Sequence, residues 1–170
     1  MSQPIAEVKV GLNFGLETQL VGRLAIRDRI IYFEYNDAFI QKGLAISPFR
    51  LPLQKGVIEL PLHPFEGLAG VFSDSLPDGW GRLLFDRLLR SQGFLPGSVS
   101  PLGRLAHVGL SGMGALVYEP DNSPSDNQEI IDLDHLALQT EEVLQGSSEE
   151  VLKELLALNG SSAGARPKAL

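Results

Sequence analysis

Cysteine is absent from the 170-residue chain. That excludes a disulfide framework and thiolate metal ligation, and it fits a reducing compartment. Positive charge is scarce, with 14 Lys and Arg against 21 Asp and Glu for a net charge of −7. A surface of that sign repels phosphate backbones, so no direct DNA binding by this chain is expected. No run approaches the roughly 18 consecutive apolar residues of a membrane span. Met1 to Val10 has neither the basic start nor the apolar stretch of a signal peptide. A soluble, cytoplasmic protein with no membrane association is the expectation. Histidine is also rare: His63, His107 and His135 are far apart and share no metal-ligand spacing. Each reads as an ordinary surface or core residue, and no metal site is expected.

Hydrophobic residues make up 44% and charged residues 21%, enough apolar material for a core. The first third reads as β: Ala6–Val10, Gln19–Ile26 and Arg29–Tyr35 are short apolar or alternating runs separated by polar and Gly-containing breaks. The Arg27-Asp28 break is short enough for a tight hairpin. Gly56–Leu62 reads as another strand, demoted to an edge by Pro61. Ser47-Pro48 and Leu51-Pro52 mark an extended connector between them. Helices follow. Phe65, Leu68, Val71 and Phe72 repeat at helical spacing after Pro64. Asp78 is placed to cap a helix with Trp80, Leu83, Leu84 and Leu88 on one face and Gly93 as its stop. Ser100-Pro101 opens a further helix with Leu102, Leu105 and Ala106 inward. Gly112–Tyr118 reads as a glycine-rich turn feeding a last strand.

Residues 119–128 are polar and proline-containing, the composition of a linker. Beyond it, Asp134–Leu144 and Ser148–Leu158 have amphipathic helical spacing. The second carries a Ser147/Glu150 capping box and an Asn159-Gly160 stop. The expected organisation is a domain over 1–119, a linker over 120–128 and a helical segment over 129–170 that ends in a glycine-rich loop.

Groups that do chemistry are few. There is no Gly-x-Ser-x-Gly elbow, no His-Glu-x-x-His motif and no full Walker loop. Two segments stand out. Phe72 to Leu84 (FSDSLPDGWGRLL) reads as a turn between helices, with Trp80 an anchor of the core more than a ligand platform. Asn159 to Lys168 (NGSSAGARPK) is rich in small residues. It reads either as a flexible terminus or as a phosphate-binding loop, in which backbone N–H groups approach an anion and Lys168 adds charge.

Together with the upstream pattern, these segments resemble the HipA family of toxin–antitoxin kinases. Phe33-Glu34-Tyr35, Ile46 to Leu53, Phe72 to Asp78, Val108-Gly109 with Gly112 to Leu116, and Ser161 to Lys168 match family motifs in family order. The resemblance implies an α+β fold: a small β-rich N-terminal subdomain, then helices and the start of a phosphoinositide-kinase-like N-lobe. It implies an ATP loop at Ala163, Gly164, Ala165, Arg166, Pro167 and Lys168, with Ser161 or Ser162 as an autophosphorylation site. ATP and Mg2+ are the cofactors of the complete family kinase. The acids that hold the metal and activate the hydroxyl follow this loop in the family, and here no Asp or Glu follows Glu154. The chain is therefore expected to hold no catalytic residue and no cofactor by itself, and to be inactive alone. The partners implied are a HipA-type kinase core and a helix-turn-helix antitoxin of HipB type. The parent kinase's implied substrate is a translation component such as an aminoacyl-tRNA synthetase. Two further readings are a regulatory module that restrains a kinase in trans, and a chain that lends its loop to a kinase core on another polypeptide.

Overall fold

The computed structural model describes residues 5–123, apart from 16, 78, 92, 94 and 113. The helices expected beyond the linker, and the loop ending at Lys168, lie outside the described residues. The chain divides into two compact units. The first takes in the described parts of Met1–Leu76 and Ser100–Asn122, and Pro77–Val99 belongs to the second. Among the described residues, no helix is long and apolar enough to cross a membrane.

Alternation builds the first unit. In β1 (Glu7–Asn13), Val8, Val10 and Leu12 are buried while Glu7 and Lys9 are exposed, the period of a sheet with one covered face. β2 (Thr18–Arg27) and β3 (Ile30–Tyr35) are joined by Asp28 and Arg29, both at positive φ, 52° and 67°. Paired positive φ defines the type I′ turn, whose twist suits a two-residue hairpin. The hairpin expected at Arg27-Asp28 thus turns one residue later. A bulge interrupts the β1–β2 ladder: Val10 pairs with Gly22 but Gly11 pairs with Leu20, which leaves Val21 as the extra residue. Gly22 is the residue this site accepts, because a Cβ there would run into the Glu34 carbonyl oxygen and the Phe33 ring.

Two strands complete an antiparallel sheet in the order β4-β3-β2-β1-β5. Among the described residues β4 (Val57–Glu59) pairs with β3 alone, as its proline-ended sequence implies. β5 (Leu116–Glu119) pairs with β1, so strands from the two ends of the unit lie side by side. The fold is α+β with a β-rich N-terminal part, as expected.

One sheet face is covered by helices and loops. α1 (Asp37–Gln41), which the sequence reading left out, is capped by the Asn36 side chain accepting from Ala38 N–H, and it delivers Phe39 to the core. α4 (Pro101–Val108) begins as expected: Ser100 Oγ accepts from Gly103 N–H at 3.1 Å, and Leu102, Leu105 and Ala106 are buried. The helix expected from Phe65 is shorter. Glu66 and Gly67 take positive φ, which no helix tolerates, and only α2 (Gly70–Ser73) is helical. Phe33, at the centre, meets Tyr35 edge-on at 4.7 Å between ring centroids and Phe72 at 5.1 Å. Each such buried side chain stabilises the unit by about 1.5–3 kcal/mol. The other sheet face carries exposed ion pairs, Arg23–Glu34 at 2.8 Å and Lys9–Glu119 at 3.9 Å, worth little in water.

The described part of the second unit supplies α3 (Gly79–Ser91) and a 3-10 turn at Pro96–Ser98. Its expected cap, Asp78, lies outside the described residues. Trp80, Leu84 and Leu88 are buried, but Leu83 is 37% exposed. The buried stripe runs instead through Gly81, Phe85 and Leu89. On a wheel of 100° per residue this stripe centres opposite Leu83, which corrects its expected inward placement. Gly93, at φ +80°, ends the helix as expected.

Candidate functional site

None of Ser161, Ser162, Ala163, Gly164, Ala165, Arg166, Pro167 and Lys168 is among the described residues, so the expected ATP loop has no described geometry. Among the described residues, no three His, Asp or Glu side chains are grouped to hold a metal ion. The remaining candidate is the Phe72–Pro77 segment, which does have a defined arrangement.

α2 delivers Phe72 fully buried onto Phe33, and the chain then turns, with Asp74 N–H bonded to the Gly70 carbonyl and Ser75 N–H to that of Phe72. This turn sends Ser75 inward, at 5% exposure, while Asp74 stays exposed. Tyr118 reaches the same place from β5, fully buried, and its hydroxyl donates to Ser75 Oγ at 2.7 Å. Burial pushes the Tyr118 phenol far above its ordinary value of 10.0, and the nearby Asp74 carboxylate adds to the rise; the Ser75 hydrogen bond acts in the opposite sense. Tyr118 is therefore a neutral donor at any physiological pH. Ser75 Oγ accepts from a neutral phenol and donates to no base among the described residues, the opposite of the arrangement that activates a serine nucleophile. The geometry makes this pair a polar clasp between α2 and β5.

A second phenol ties down the connector. The Tyr35 hydroxyl donates to the Leu51 carbonyl at 2.8 Å. In the same connector, Ser47 and Leu51 form an isolated bridge, and the Ser47 carbonyl accepts from the N–H groups of Arg50 and Leu51. The extended connector expected here is thus a tight turn with fixed ends. Its tip carries Phe49, 96% exposed.

The histidines divide. His63 is exposed. His107, on α4, places Nδ1 3.2 Å from the Gly103 carbonyl, and burial holds its pKa below 6.5 although that carbonyl favours the charged form. His135 lies outside the described residues. Sequence reasoning missed Tyr118 and Tyr35 as structural hydroxyls. For the first there was no local signal, because its partner is 43 residues away.

The site and fold define an α+β module whose most individual polar residues close its own core. The chain belongs to the HipA N-terminal domain family, whose model matches residues 12–119. No match is found among curated proteins or among solved structures.

Proposed function

We propose that this chain is the N-terminal module of a HipA-like serine/threonine protein kinase toxin of a toxin–antitoxin system, and that by itself it binds partners and does not phosphorylate. One observation carries the reading. The family match, 12–119, takes in β2 to β5 and the helices that cover the sheet, and it ends with the last residue of β5. A unit whose buried serine and tyrosine hydroxyls are engaged inside its own core suits a domain that docks and positions. In this reading the chain works in the cytoplasm, and the phosphoinositide-kinase-like lobe begins after the sheet unit. Ala163 to Lys168 supply its ATP loop and Ser161 or Ser162 its autophosphorylation site. ATP and Mg2+ are held only once the catalytic acids of a kinase core are present. The partners are that core and a helix-turn-helix antitoxin of HipB type, and operator DNA is contacted by the antitoxin alone.

The same inward engagement of its polar groups favours a second reading, in which the module acts as a separate regulator that restrains a HipA-type kinase in trans. Labelled ATP and Mg2+, given to the purified chain with and without a HipA-type kinase core, test both. The chain alone should take up no phosphate. Added to a core that lacks its own N-terminal module, it should restore labelling under the first reading; added to an active kinase, it should suppress labelling under the second. Stoichiometric labelling of the chain alone would falsify the proposal.

A further inference from the structure

We infer that the Ser47–Arg50 turn is a docking tip for a protein partner that offers an apolar pocket rimmed by carboxylates. This rests on the module reading above and adds the surface that would bind. A lone exposed apolar residue is ordinary on a protein surface. Phe49 differs in how it is held. It stands 96% exposed, beyond Phe14 at 79% and Leu95 at 77%. The backbone beneath it is fixed at both limbs. Leu51 is fully buried, its carbonyl accepts from Tyr35, and the Ser47 carbonyl closes the turn. Tyr35 is itself stacked on Phe39, with ring planes 6° apart. An aromatic side chain presented on a backbone already ordered loses little further freedom on binding, the property of an interface anchor.

Charge names the partner's chemistry. The chain carries −7 overall, yet between Asp37 and Glu59 there is no acidic residue, while Lys42, Arg50 and Lys55 all lie there. All three are exposed and make no ion pair among the described residues. Arg50, next to Phe49 in the turn, lies in a stretch without carboxylates on an acidic protein, and such a cation steers toward a carboxylate-bearing surface. Three dispersed cations fall short of the four to eight clustered ones typical of anionic-lipid recognition, and one aromatic ring is not a row of stacking platforms for single-stranded nucleic acid. A protein pocket fits both features.

The test uses the full chain against a HipA-type kinase core and a HipB-type antitoxin, with affinity measured by calorimetry. Phe49→Ala should weaken binding to one of them by about tenfold or more. Arg50→Glu should weaken it as well, and raising the salt concentration should weaken the wild type more than Arg50→Glu. Thermal melting should be unchanged by either substitution, because both side chains are exposed. Equal binding by wild type and Phe49→Ala overturns this inference and leaves the module reading standing. Binding by the wild type to neither protein overturns both. Binding of phosphatidylserine vesicles or single-stranded DNA that Phe49→Ala abolishes would overturn the choice of a protein partner.

Discussion

The Tyr118 hydroxyl donates to Ser75 Oγ at 2.7 Å, joining β5 to the turn after α2 inside the core. Removing the donor leaves a buried serine oxygen without its partner, which costs more than the bond alone contributes. Tyr118→Phe should destabilise the chain by about 1–3 kcal/mol in urea unfolding. Adding Ser75→Ala to it should recover part of the loss, because the orphaned group then goes too. If the two losses simply add, the hydroxyls are not coupled.

The same phenol predicts an alkaline limit. Its pKa is raised in the folded state, so its contribution is fully present below the unfolded value of about 10 and is lost as pH rises above it. Unfolding midpoints of the wild type should fall above pH 10, with a shallower fall in Tyr118→Phe. Tyr35, raised chiefly by burial, should account for some of the slope that remains.

His107 sets the acid side. Burial lowers its folded pKa below 6.5, so its contribution is present above the unfolded value and is lost as pH falls through the folded one. Wild type should lose stability relative to His107→Gln as pH drops below about 6.5, read from melting temperatures across a pH series. A difference constant from pH 8 to pH 5 would mean His107 titrates alike in both states.

Much of this fold was legible from the chain. Val8, Val10 and Leu12 alternate, and Ser100-Pro101 announces α4, because these signals lie within a few residues of their consequence. The misses have a common cause. The short helix α1 rests on one Asn36 cap and on Phe39 finding the core, too little local pattern to register. Leu83 was placed inward because its spacing from Trp80 fits a helical stripe. The actual stripe is set by Phe85 and Leu89, and only packing chooses between the two. The Tyr118–Ser75 clasp needs β5 beside β1, a pairing no local window contains. The ATP-loop residues were read from resemblance, and they lie outside the described residues.

Trp80 and Leu83 separate packing from pattern on α3. Trp80 is 2% exposed, and its indole N–H makes no hydrogen bond among the described residues. Trp80→Ala should cost roughly 3–5 kcal/mol. Trp80→Phe should cost less, since it keeps a ring and removes a donor that is not engaged. Leu83→Ala should stay within about 1 kcal/mol. A melting temperature for Trp80→Ala close to wild type would place that ring on an exposed surface.

Gly22 tests the bulge. Its Cβ would meet a backbone carbonyl, which cannot rotate away, whereas at Gly11 the nearest atoms are the side-chain methyl groups of Thr18 and Val117, at 2.6 and 2.8 Å. Gly22→Ala should therefore cost about 1–3 kcal/mol, and Gly11→Ala should cost less. The reverse order in urea midpoints would show that the β2–β3 ladder yields more readily than the side chains beside β1.

The pairing of β1 with β5 also governs how the protein is made. Lys9 lies opposite Glu119, so the first strand of the sheet to be synthesised waits for the last. Until Leu116–Glu119 emerges, β1 has one strand edge unpaired and the Val10 and Leu12 face lacks its Tyr118 cover. An open apolar strand of that kind is a template for intermolecular pairing. Translation that slows within residues 77–99 lengthens this exposed interval, and with it the nascent chain's need for a chaperone.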